Sequence, residues 1–230
     1  MKFRKFTGIL MIGACVMSMA ACGSKGDSDG GSGSGSKDGE DAGSSTVTAK
    51  VVEIDLTDEE YAFGVDKSQP ELLEQVNAFV GKIKGDGTLE EICDRYFGDG
   101  EPQAVESAEP DDSKDQLVVA TNAAFEPFEY TKGDSYYGID MEIASLLAKE
   151  LNKELVIQNM DFDAVCLSVS QQKCDIAMAG LTINEEREEY VTFTDSYYAA
   201  SQRLIVPESD TAFDGCADAD AVAEILGKLG

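Results

Sequence analysis

The chain contains no histidine, which removes the commonest general base and the commonest metal ligand together. Ser-His-Asp and Cys-His nucleophilic catalysis are thereby excluded. The residue type best placed for chemistry is a single arginine, Arg187, in the stretch TINEEREEY, where Glu185, Glu186, Glu188 and Glu189 surround it. A guanidinium is a planar fork of donors that matches a carboxylate. In a chain with 18 Lys+Arg, 45 Asp+Glu and a net charge of -27, such a cation is either an anion hook or one more surface ion. Paired with its glutamate neighbours on a wet helix it contributes only a few tenths of a kcal/mol. Asn184 is a suitable N-cap for a short helix over 185–190, whose first turn is acidic. Its positive end, together with free backbone N–H groups around Gly180 to Thr182, would complete an anion site. Glu126 and Glu129 form the one obvious carboxylate pair available for acid–base work, in a chain where acidic residues are abundant by chance. Of the six cysteines, Cys93, Cys166, Cys174 and Cys216 follow the leader, fit no metal-ligand spacing and leave their pairing open. Cys93 and Cys166 stand among apolar residues and read as small buried hydrophobes. No metal or cofactor is expected, and no basic stripe suited to nucleic acid is present.

The amino end carries a different kind of chemistry. Lys2, Arg4 and Lys5 precede an apolar run from Phe6 to Met19, too short and wrongly flanked for a membrane-spanning helix and typical of an export signal. The run closes on MAAC, Met19 to Cys22, which resembles the lipobox of bacterial lipoproteins and implies lipidation of Cys22. The alternative is an ordinary secretory cleavage site with an incidental cysteine. The segment after it, GSKGDSDGGSGSGSKDGEDAGSS, has a composition that cannot offset its ordering entropy by burying apolar surface. Residues 1–21 are thus expected to be a signal and 22–49 a tether, placing the protein on the extracellular face of the cell membrane, or in a periplasm.

About 180 residues remain, enough for one domain with a core and the start of another. From Leu117, strands and helices alternate. LVVAT is a β-branched run of the kind buried on both faces, and IDMEIASLLAKELN has helical apolar spacing with Asp140 placed to cap it. ELVIQNM reads as a second strand, Asp163 as the cap of the helix AVCLSVSQQ, and DIAMAG as a third strand. Strands separated by single helices predict an α/β fold with a mostly parallel sheet, whose ligands collect at the strand carboxyl ends. The earlier block, 50–98, offers VVEIDL and YAFGV as strands, then two amphipathic helices with Ser68/Glu71 and Thr88/Glu91 as capping boxes and Gly98 as a stop. Between the blocks, 99–116 is polar, contains proline and carries no packing signal.

The stretches LVVATNAAFEPFEY, YYGIDMEIASLLAKEL and NMDFDAVCLSVSQQKCDIAMAGLTINEEREEYVTFTDSYY resemble the first lobe of the extracellular solute-binding proteins that deliver polar amino acids to ABC importers, continuously from Leu117 to about Val206. The resemblance implies a type II periplasmic-binding-protein lobe with an antiparallel pair of hinge strands, and no bond chemistry. It implies that Arg187, aided by Gly180 and Thr182, binds the α-carboxylate of an amino acid. Phe125 would stack on the ligand side chain, Phe128 would pack inside, and Phe162 would line the pocket or staple the helix entry. Asn122 departs from the pattern: many relatives have Asp there, which helps hold the ammonium group, so the change counts against basic amino acids. Partners implied are the small-molecule ligand, the permease in the membrane and the lipid anchor, with a monomeric chain.

Residues 50–98 are similar to the same family's carboxyl-terminal tail, a returning strand and two helices, yet here they come first. A circular permutation or a decayed duplicate accounts for this, and permutation is favoured because the apolar tail helices need a partner that 117–207 supplies. The 99–116 linker, stretched to about 60 Å, spans a lobe easily. YAFGV is then expected to pair antiparallel with QRLIV as hinge strands. Residues 208–230 are expected to begin a second lobe that the sequence does not continue, either because it is a fragment or because the product is one lobe. A single lobe is expected to bind weakly. The rival readings are a dehydratase of the same fold using Glu126 and Glu129, and a sensory or adhesive module.

Overall fold

The computed structural model describes residues 48–229; the signal, Cys22 and the Gly/Ser/Asp stretch through 47 lie outside the described residues. Five strands form the central sheet in the order β10–β3–β9–β4–β8. Here β3 is Gly64–Asp66, β4 Gln116–Thr121, β8 Glu154–Asn159, β9 Ile176–Ala177 and β10 Val191–Phe193. β4 pairs in parallel with β8 and with β9, while β3 runs antiparallel to both β9 and β10. Four of the five strands therefore share one direction, giving the α/β, mostly parallel sheet that the alternation of elements predicts. Leu117, Val119, Val156 and Ile176 are almost wholly buried, as strands covered on both faces require.

Helix α3 (Ile139–Glu150) links β4 to β8, and α4 (Phe162–Ser170) leads from β8 to β9. From the earlier block, α1 (Pro70–Asp86) and α2 (Thr88–Phe97) bury Leu72, Val76, Phe79, Val80, Ile83, Leu89 and Ile92 in the same core as Ile139, Ile143 and Leu147 of α3. β3 contributes Val65, and Phe63 beside it is fully buried. Blocks far apart in the chain thus make one sheet and one core.

Several local expectations are corrected. YAFGV does not pair with QRLIV. Glu59–Tyr61 (β2) pairs antiparallel with Tyr198–Ala200 (β11), and β3 enters the central sheet. Phe63 and Val65 are apolar on a stretch where every residue from Tyr61 to Asp66 is buried, so the interior of the sheet is where this strand loses most water-exposed surface. QRLIV instead meets VVEIDL: Ala49–Val51 (β1) pairs with Ile205–Pro207 (β12), and the amides of Val52 and Leu56 donate to the carbonyls of Leu204 and Gln202. Val52, Val206, Phe213 and Val222 close a small separate apolar cluster, with Val222 on α6 (Ala219–Leu229).

Neither capping box forms. Pro70 fixes the first turn of α1 behind Gln69, while the Ser68 hydroxyl and amide both donate to Asp66. Gly87, at φ +90°, ends α1 and starts α2, which puts Thr88 inside the helix. Gly98 does stop α2. Asp163 lies within α4, whose cap position is Asp161. Asp140 lies within α3, behind Gly138 at φ +124°, where a Cβ would fall 2.1 Å from the Phe128 carbonyl oxygen. The linker also packs: Val105 is buried and exchanges backbone hydrogen bonds with Tyr136. The Ala108 amide donates to the Leu155 carbonyl, and the Ile157 amide donates to the Ser107 hydroxyl. These contacts cover the otherwise open edge of β8, whose unpaired amides would cost free energy or invite aggregation. Cys93, Cys166, Cys174 and Cys216 are free thiols, the middle two buried.

Candidate functional site

The carboxyl ends of β4, β8 and β9 gather the candidate residues. β4 runs into Asn122, whose side-chain amide donates to the Met160 carbonyl (2.7 Å), while the Ala123 amide donates to Asn159 Oδ1 (2.9 Å). These two bonds tie the β4 and β8 exits together and aim Phe162, the first residue of α4, outward. Phe162 remains 39% exposed. Its ring carries the Arg187 guanidinium, whose Cζ lies 5.0 Å from the ring centroid; such cation–π contacts contribute about 0.5–1 kcal/mol at partly wet sites.

Arg187 belongs to α5 (Glu185–Glu188), a single turn capped by Asn184, whose Oδ1 accepts from the Arg187 amide at 2.9 Å. The cap satisfies one of the turn's orphan donors and fixes the direction in which the arginine leaves the backbone. Arg187 Nη1 donates to the Thr182 carbonyl at 2.7 Å. The side chain is half-buried, and among the described residues it makes no ion pair with any of its four flanking glutamates.

Gly180 adopts φ +53°, and a Cβ there would stand 3.0 Å from Phe125 Cε1 and 3.6 Å from Tyr61 Cε2. The positive φ favours glycine, and a Cβ would make the Phe125 ring give way by a few tenths of an ångström. Phe125 is half-buried and stacks on Phe128 with centroids 5.5 Å apart, and Phe128 is buried. The structure thus brings Asn122 and Phe162 together through Met160, Phe162 and Thr182 through Arg187, and Phe125 against Gly180.

Of the backbone donors expected to be free around Gly180 to Thr182, the Gly180 amide is engaged, and so is the Thr182 side chain. The Gly180 amide donates to Asp140 Oδ2 at 2.9 Å, and the Thr182 hydroxyl donates to Glu59 Oε2 at 2.8 Å. Asp140 is fully buried, so its carboxylate must be satisfied within the fold; Oδ1 accepts from the Tyr197 hydroxyl. Burial pushes its pKa up to about 7 in spite of these two bonds. Glu129 is also wholly buried, neither of its oxygens has a hydrogen-bond partner, and burial followed by the charge of Asp140 pushes it up to about 11. Glu126 is exposed, so the two carboxylates expected as an acid–base pair occupy opposite environments. The sequence alone did not single out Glu59, Tyr61 or the role of Asp140. The isolated bridge between Tyr61 and Thr182, which lets the Glu59 side chain reach the Thr182 hydroxyl, leaves no local pattern. A hollow of about 550 Å³ between Lys114, Lys149 and Lys153 lies at the opposite, amino end of β4 and β8.

A family model described as bacterial extracellular solute-binding proteins, family 3, matches residues 117–224. The arginine-binding extracellular protein ArtP of Bacillus subtilis (strain 168) is 35% identical over 105 residues, covering 46% of this chain and 41% of the relative. The histidine-binding periplasmic protein of Salmonella typhimurium is 32% identical over 95 residues, covering 41% and 36%. Among solved structures, a point mutant of domain 1 from TmArgBP in its arginine-bound form is 30% identical, covering 50% of this chain and 91% of that one with a TM-score of 0.36. The chain matches about two fifths of the length of these curated relatives. The matched segment begins on β4 and carries Asn122, Phe125, Phe162, Gly180, Thr182 and Arg187, and over residues 117–224 the chain is one of the bacterial extracellular solute-binding proteins, family 3.

Proposed function

We propose that the protein captures a polar amino acid by its carboxylate and hands it to the permease of an ABC importer, with Cys22 lipidated to hold it at the outer face of the membrane. Arg187 is the anchor, Phe162 and Phe125 form the walls, and Asn122, Gly180 and Thr182 shape the floor. One observation carries the reading: a half-buried guanidinium rests on the Phe162 ring, is braced by the Thr182 carbonyl, and among the described residues makes no ion pair with the glutamates that flank it. A half-buried cation with no direct ion pair gains from a ligand that brings a carboxylate. The arginine- and histidine-binding relatives support the class of ligand.

Residues 50–98 act, in this reading, as a permuted tail that completes the lobe formed by 117–207, and 208–230 open a second lobe. Capture would then work by closure of two lobes about the β1–β12 and β2–β11 pairs, expelling water and presenting a docking face. The present chain supplies one face of that cleft and binds more weakly than micromolar. NMR titration of the chain with the common amino acids is the direct test. A saturable response centred on 180–187, lost in Arg187→Ala with the fold intact, is the expected outcome. Equal responses from the Arg187→Ala variant and the parent chain would remove the anchor and the reading with it.

A further inference from the structure

An acid from the earlier block reaches the same site from the other side. Glu59 lies on β2, two residues before Tyr61, so both side chains leave the same strand face. The Tyr61 ring is the neighbour of Gly180, and Glu59 Oε2 accepts from the Thr182 hydroxyl at 2.8 Å. Glu59 Oε1 accepts from the Thr57 hydroxyl at 2.7 Å and from Gln202 Nε2 at 3.2 Å. Burial alone would raise the Glu59 carboxyl, but these three donors and the charge of Arg187 outweigh it and hold it below the usual carboxylate range. Thr182 therefore stands between two opposite charges, its carbonyl bracing the Arg187 cation and its hydroxyl holding the Glu59 anion.

The other acids near the site are either buried within the fold or exposed to solvent on α5. Asp140 lies beneath Gly180 with both oxygens engaged, Glu129 is buried, and Glu185, Glu186 and Glu188 are exposed on α5. Asn122 carries no charge, and its amide is committed to Met160. We propose that Glu59 determines specificity, giving the site a fixed negative pole beside its cationic anchor so that it selects amino acids with a second cationic group and rejects acidic ones. The negative charge that Asn122 lacks is supplied from β2, so a neutral Asn122 does not disfavour basic ligands.

This rests on the carboxylate-anchoring role of Arg187, and the two are separable. The full chain is titrated by NMR at low salt with L-arginine, L-glutamine and L-glutamate, in the parent, Glu59→Gln, Glu59→Asp and Arg187→Ala forms. Glu59→Gln keeps the shape and acceptor oxygen while removing the charge, and thermal melting checks that it folds. Expected in the parent is arginine ahead of glutamine ahead of glutamate. Glu59→Gln should weaken arginine about tenfold, leave glutamine within about threefold and strengthen glutamate, whereas Glu59→Asp should keep the arginine preference. If Glu59→Gln shifts all three equally, or strengthens arginine, Glu59 is a structural brace or a competitor for the anchor and the proposal is overturned while the anchor stands. If the parent binds none of the three, both readings fall.

Discussion

At the scale of single residues, the site depends on backbone geometry as much as on charge. Gly180 combines a left-handed φ with a Cβ direction that points into Phe125. Gly180→Ala therefore incurs both backbone strain and a 3.0 Å approach to the aromatic ring, together about 1–3 kcal/mol. The expected result is a lower Tm and a ligand response weakened along with it, because Phe125 must rotate away from the wall it forms. An alanine variant that melts and binds like the parent would show that neither the turn nor the ring is constrained as described. The turn around Arg187 was legible in sequence, since Asn184 followed by three acidic first-turn positions is a local signal. The commitments of the Gly180 amide and the Thr182 hydroxyl were not legible, because their acceptors, Asp140 and Glu59, lie 40 and 123 residues away.

At the scale of elements, β6 (Glu129–Lys132) and α3 trap two carboxylates under the site. Both Glu129 and Asp140 have folded-state pKa values raised above their ordinary ones, to about 11 and about 7, burial being the main cause. The sign follows from linkage: a raised acid favours folding fully below its unfolded pKa and loses that contribution as pH climbs toward its folded value. Stability should therefore fall from about pH 4 upward through both groups, and above about 7 through Glu129 alone, by up to about 1.4 kcal/mol per pH unit for each titrating group. Glu129→Gln removes one of the two. The drop in Tm between pH 5 and pH 8 should shrink in that variant relative to the parent; an unchanged drop would mean that water or an unseen partner already serves Glu129. The sequence placed Asp140 at a helix start, one turn element away from its true surroundings, because the apolar periodicity of α3 marks the helix but not which neighbour covers its first turn.

At the scale of the whole molecule, one core is assembled from two stretches separated by a packed connector. One polar tie between them is on α2: Arg95 pairs with Glu142 of α3, the Tyr96 hydroxyl donates to the same carboxylate at 2.7 Å, and the Gln103 amide adds a longer bond. Tyr96 also accepts from the Gly138 amide at 3.0 Å, which pins the start of α3. Glu142 is only 6% exposed, so removing Arg95 leaves a buried carboxylate short of its cation. Arg95→Ala should cost about 2–3 kcal/mol, read as a lower urea midpoint with an unchanged m value. A fall below about 0.5 kcal/mol would show that the Arg95–Glu142 pair adds nothing to the union of the two blocks. This tie could be anticipated only in outline, from the need of two amphipathic helices for an apolar partner.

What the sequence determined by itself is whatever a short window encodes. Apolar, β-branched runs marked β4 and β8, helical patterns marked the four long helices of the two main blocks, Gly98 marked a helix end, and the motif run from 117 to 206 marked the residues of the anchor. Which strand lies beside which was left to the tertiary structure, because edge and centre positions in a sheet differ by total buried surface rather than by local propensity. That choice moved Tyr61–Asp66 into the sheet interior, set VVEIDL against QRLIV, and carried Glu59 across 123 residues to the hydroxyl of Thr182.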